Sequence, residues 1–226
     1  MQAAKLDKKE STILGNNASA LSTSYSSIID SMDDESDVKI TQVTKGVLDK
    51  RASLGSLNDS HFDILNSPTG WLDCTIIQKA QVLLQKVNPL IESFQTTTLG
   101  PIRNFDIVTS EFVQILHTGH MHWVCISSIG CRPGMVNLYD SLYHDIIAKV
   151  VEEQVESLMA DSYVGIENVT VQQQLNVSDC GIFAIAFATC LVYGFSPRDF
   201  TFDIPKMRPH LAQCLEIGKI TMFPSV

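Results

Sequence analysis

Four residues of this chain have the types and spacing that covalent chemistry needs. Cys180 lies at the mouth of an apolar run, in QLNVSDCGIFAIAFATCLVYG, and Gln174 stands six residues ahead of it. Upstream are His122, followed by Trp123, and Asp140, followed by Ser141. A thiol attacks a carbonyl well only as the thiolate. Two features favour that anion at Cys180: a helix N-terminus, where amides and macrodipole point at the sulfur, and an imidazole partner in His122. Histidine suits the general base because small shifts carry it across neutrality. Asp140 can accept the Nδ1 proton of that ring and hold the useful tautomer. An amide donor for the oxyanion stands in the loop ahead of Cys180, where Gln172, Gln173 and Gln174 are the choices.

Each residue has a competing reading. A cysteine is more often a small buried apolar group than a nucleophile, and that reading suits Cys125, Cys190 and Cys214. His117 and His120 are alternatives to His122, and His144 and Asp145 compete with Asp140. A zinc site built from His117, His120, His122 and Cys125 has the ligand types but no second cluster at fixed spacing. No metal or other cofactor is expected. The six cysteines form no CxxC pair and read as reduced thiols.

The elements that must position these groups follow from periodicity. Helical spacing runs from Trp71 to Val87, with Asp73 as N-cap. Phe112–Leu116 and Met121–Ser127 read as strands joined by a glycine-containing turn, which puts His122 on the second of them. Met135 to Tyr139 reads as a third strand, ending just before Asp140. A helix from Ile146 to Met159, capped by Asp145, and a strand over Val169 to Gln173 come next. Gly181 to Tyr193 is apolar nearly all round, hence a central buried helix that Gly194 stops. Asp203 and Pro205 open a last helix reaching about Glu216. Helices around a small, mainly antiparallel sheet make an α+β domain. Residues 1–58 are rich in Ser, Thr, Asp and Asn and read as a polar leader; the folded domain occupies 59–226.

A net charge of -9 lacks the basic stripe of a nucleic-acid binder and disfavours anionic membranes. The longest apolar run is too short to span a bilayer. With a polar beginning and no signal peptide, the expected location is intracellular, cytoplasm or nucleus.

His-Trp, then Tyr-Asp-Ser, then Gln-x-Asn-x-x-Asp-Cys-Gly resembles the Ulp/sentrin-type ubiquitin-like protein peptidases, which share a clan with the adenovirus protease. It is also similar to stand-alone forms carried by mobile elements and their domesticated descendants. The resemblance covers about His61 to Pro224. It implies the papain-like fold in its Ulp form, with a helix starting at the nucleophile, although the cysteine comes last in the chain. It also implies hydrolysis after the C-terminal Gly-Gly of a modifier of the SUMO, NEDD8 or ubiquitin class. Within it Cys180, His122 and Asp140 form the triad and Gln174 is the oxyanion donor. Trp71 and Trp123 cover a tunnel that admits only glycine. Where the family has Asn then Asp after Trp-Leu, this chain has Asp73 then Cys74. The alternatives are a mobile-element protease acting on a polyprotein and a catalytically silent modifier-binding module.

Overall fold

The computed structural model describes residues 57–142 and 146–226. The leader expected over 1–58 thus lies almost wholly outside the described residues, as do His144 and Asp145.

Helix α4 (Cys180–Val192) is the centre of the fold, and all of its residues are buried. Its sequence has no polar face to offer water, so it must be covered on every side. Each large apolar side chain it buries, such as Ile182, Phe183 or Phe187, contributes about 1.5–3 kcal/mol. Gly194, at φ 82°, ends it in the left-handed region that glycine enters without strain. Helix α2 (Cys74–Val87) packs beside α4. Its first turn is held by Asp73, whose Oδ1 accepts from Thr75 N and Ile76 N at 2.9 Å each.

The sheet runs β1 (Glu92–Ser93), β2 (Phe112–His117), β3 (Trp123–Ser127), β4 (Met135–Tyr139) and β5 (Gly165–Val169), neighbours in that order. Its centre is antiparallel as expected, with Ile115 opposite Cys125 and Cys125 opposite Tyr139. The two outer pairings, β1 with β2 and β4 with β5, are parallel, so the sheet is mixed. Alternation divides its side chains between two cores. Val113, Ile115, Cys125 and Tyr139 join the cluster built around α2 and α4. Phe112, Leu116, Val124, Ile126 and Leu138 face α3 (Lys149–Met159), through Val151, Val155 and Leu158.

Three local expectations change. Helix α3 begins at Lys149, after an Ala148 cap that supplies no side-chain bond, rather than at Ile146. The fifth strand is Gly165–Val169 rather than 169–173, because its register is set by parallel pairing with β4. His122 stands in the turn just before β3, not inside the strand. An eight-residue helix, α1 (Asp59–Asn66), was not foreseen; Asn58 and His61 close a capping box at its start. It packs on α5 (Ile204–Ile217), the last helix.

Candidate active site

The turn before β3, the end of β4 and the first turn of α4 meet at one point. His122 Nε2 lies 2.7 Å from Asp140 Oδ1. Asp140 follows the last residue of β4, and the same Oδ1 accepts from Leu142 N at 2.8 Å, which fixes the carboxylate. Both side chains are nearly enclosed, at 11% and 13% exposure, so water screens the pair poorly. The Nδ1 contact expected from the sequence is corrected here: Asp140 takes Nε2, which leaves Nδ1 for Cys180. The imidazole is hydrogen-bonded to Cys180 as well as to Asp140. Burial alone would pull the His122 pKa down. The hydrogen bonds to Asp140 and Cys180, and their charges, outweigh it and hold the pKa up at about 9.

Cys180 is the first residue of α4 and is itself buried. Its Sγ lies 4.0 Å from the carbonyl oxygen of Met121, the residue before His122. Met121 has φ 54°, an uncommon conformation for a side-chain-bearing residue. The backbone is strained at the point where it delivers the imidazole to the thiol.

Of the three glutamines, Gln172 is occupied by the Phe202 backbone, donating to its carbonyl at 3.2 Å and accepting from its N–H at 2.5 Å. Gln173 donates to the carbonyls of Asp140 and Val171. Gln174 is buried, accepts from Ser141 Oγ at 2.7 Å and donates to Asn176 O at 2.5 Å. Its amide carries two protons, so a second donation is available. Asn176 shapes the loop to the thiol: its Oδ1 accepts from Ser178 N and Asp179 N, and its Nδ2 donates to Asp179 Oδ2 at 2.7 Å.

Arg208, on α5, was not singled out from the sequence. Its guanidinium donates to Asp179 Oδ1 at 2.9 and 2.7 Å and to the carbonyls of Ser178, Gly70 and Ile64. One buried cation thus ties the residue before Cys180 to α1 and to the segment leading into Trp71. Nothing local flags it, since its partners are far away in sequence.

Trp71 and Trp123 are brought together through Leu72, whose carbonyl accepts from Trp123 Nε1 at 2.9 Å. Leu72 also packs on the first turn of α4: a Cβ built on Gly181 would lie 2.9 Å from Leu72 Cβ. The glycine after the thiol is therefore required for that approach.

The rival groups separate from this point. Burial drives the Cys125 thiol far above its ordinary range and pushes Cys190 up to about 12. His120 is exposed, and His117 packs edge-on against Trp123. Among the described residues, no three or more His, Cys, Asp or Glu side chains are grouped to hold a metal. A second thiol–imidazole pair, Cys214 with His210 at 3.4 Å, has Thr221 as its third member rather than a carboxylate. Among the described residues, no helix is long and apolar enough to cross a membrane.

The model of the Ulp1 protease family's C-terminal catalytic domain matches residues 102–219, more than half of the chain. Among solved structures, the C-terminal Ulp1 protease domain in complex with Smt3, the yeast orthologue of SUMO, superposes with a TM-score of 0.55 at 19% identity, covering 70% of this chain and 82% of that one. The SUMO protease Ulp1 with its catalytic cysteine oxidised to a sulfenic acid gives 0.55 at 18%, over 72% and 85%. A de-sumoylating protease gives 0.54 at 13%, over 72% and 86%. At such identities the likeness establishes the fold. No curated protein sequence matches the chain.

Proposed function

Because the chain belongs to the Ulp1 protease family, and is therefore a cysteine peptidase, we propose that it hydrolyses the peptide or isopeptide bond after the C-terminal Gly-Gly of a ubiquitin-like modifier. The observation that carries this reading is the line from Asp140 through His122 to Cys180, set at the first turn of a fully buried helix and beside the Trp71, Leu72 and Trp123 bracket. The structural relatives that carry SUMO in their names support the modifier class.

In this mechanism the Cys180 thiolate adds to the carbonyl of the second glycine. The oxyanion accepts from the Cys180 backbone N–H, at the helix N-terminus, and from the remaining proton of the Gln174 amide. A His122 pKa near 9 keeps the ring protonated at neutral pH, so it can give its Nδ1 proton to the departing amine. The tetrahedral adduct collapses to a thioester. The ring, now neutral, takes a proton from water, which attacks the thioester and releases the glycine carboxylate and Cys180. Asp140 holds Nε2–H throughout and stabilises the imidazolium. The domain this chemistry needs runs over 59–226, since Arg208 binds α1 to the nucleophile's loop.

Modifier precursors extended beyond Gly-Gly test the reading. Product masses should place the cut after the second glycine. Equal cutting of an unfolded glycine-containing peptide would favour polyprotein processing, and no cutting of any precursor by folded protein would leave a binding module.

A further inference from the structure

The turn into β3 divides two hollows. Met121 and Trp123 line the cleft of the Trp71–Leu72 bracket, while His122, between them in sequence, lines a different pocket of about 190 Å³. The two have no lining residue in common. In the second pocket Asp140 and Leu142 stand beside His122, over a floor of Val124, Leu138 and Val151, buried apolar residues of the sheet and α3. Through Ile146, Ile147, Ala148 and Asn168 the pocket continues into a wider groove of about 860 Å³ along β5.

Three features of this path suit a polypeptide. Its inner end is the His122 ring, which hands a proton to the departing amine, so whatever that amine carries must lie close by. Its walls hold large apolar side chains that water now touches: Leu142 is 38% exposed and Ile146 83%. Contact with an apolar partner would remove that surface from water. Its outer wall is β5, the last strand of the sheet, whose far edge pairs with no strand among the described residues. Unpaired main-chain groups on such an edge receive an extended chain. Near the reaction centre the ionisable lining groups are the His122–Asp140 pair and the exposed His120. Lys149, Glu152 and Glu167 line the far end only. Close to the scissile bond, therefore, apolar contact decides.

We propose that this path is the leaving-group site: the polypeptide beyond the scissile bond lies along it in extended form, and the pocket beside His122 selects an apolar side chain at the first or second position after the bond. The inference rests on the Gly-Gly reading above and adds a preference on the departing side. In an isopeptide substrate the methylene stem of the lysine occupies the same place. A serine there makes less apolar contact with Leu142 and Ile146 and is held more weakly.

Precursors of SUMO, NEDD8 and ubiquitin, each extended past Gly-Gly by Leu-Val-Ser-Ser or by Ser-Ser-Ser-Ser, test this. The readout is kcat/KM, which covers the steps up to the thioester, while the tail is still attached. On any precursor that is cut, the Leu-Val tail should exceed the all-serine tail by about tenfold. Ile146→Ser, at so exposed a position that the fold is not at risk, should bring the two tails within about threefold. It should also lower the rate on the Leu-Val precursor relative to a modifier–coumarin conjugate, whose leaving group carries no polypeptide. Equal rates for the two tails, with the cut still after the second glycine, or a Leu-Val advantage that survives intact in Ile146→Ser, would overturn the site while leaving Gly-Gly cleavage standing. If folded protein cut no precursor, the Gly-Gly reading would fail and this site with it.

Discussion

Asp140→Asn removes a charge while leaving an oxygen that can still accept from His122 Nε2–H. In the wild type the His122 pKa rises from 6.5 to about 9. At about 1.36 kcal/mol per unit, that rise is worth on the order of 3 kcal/mol of stability. The folded chain holds the proton more tightly than the unfolded one. The stabilisation is therefore complete below pH 6.5, shrinks as pH rises and is gone above about 9. Without the Asp140 charge the contribution that opposes burial is much reduced, so the pKa falls back toward or below its ordinary value. At pH 7.5 the protonated fraction would drop from roughly 97% to about 10% or less. Urea unfolding at pH 6, 7.5 and 9.5 measures the difference. The wild-type advantage over the variant should be largest at pH 6 and should narrow by about 3 kcal/mol by pH 9.5. Turnover at pH 7.5 should fall by at least about 10²-fold, because leaving-group protonation loses its acid. Parallel stability lines from pH 6 to 9.5, or a variant turning over within a few-fold of wild type, would refute the assignment of Asp140 to His122.

Gln174→Ala should lower kcat by about 10²–10³ with KM little changed, measured by steady-state hydrolysis of a modifier–coumarin conjugate. Arg208→Met strips the cation from the buried Asp179 carboxylate and should cost about 3–5 kcal/mol in chemical denaturation, with Arg208→Lys intermediate. Gly181→Ala puts a methyl 2.9 Å from Leu72 Cβ; both belong to backbone-anchored elements, so the Trp71–Leu72 bracket must shift, and kcat/KM should fall about tenfold or more with the fold retained by circular dichroism.

The parts of this fold that were legible in the sequence are those whose cause is local. Helix α4 announces itself because a run from Ile182 to Leu191 without a polar face can only be buried. Asp73 as a cap and Met135–Tyr139 as a strand follow from nearest-neighbour chemistry. What was hidden depends on partners distant in the chain. The segment Gly165–Val169 is half-exposed, with no clear alternation, and becomes a strand only because β4 lies alongside. The buried glutamines Gln81, Gln95 and Gln114 look like surface residues until α2, β2 and the loop after β1 close a hydrogen-bond network around them. The residue types that meet at the candidate site were readable at Cys180, His122 and Asp140, but that Nε2 is the ring nitrogen beside Asp140 depends on how separate elements converge, and the place of Arg208 depends on packing of α5 on α1.

The most direct test of the central claim is covalent labelling of the intact protein by a panel of ubiquitin-like modifiers that carry a C-terminal electrophile after Gly-Gly, run beside Cys180→Ala. The account predicts one adduct per chain, mapped to Cys180 by peptide mass, formed with at least one modifier and lost in the variant. Labelling that persists in Cys180→Ala, or the absence of any adduct from protein shown to be folded, would contradict it.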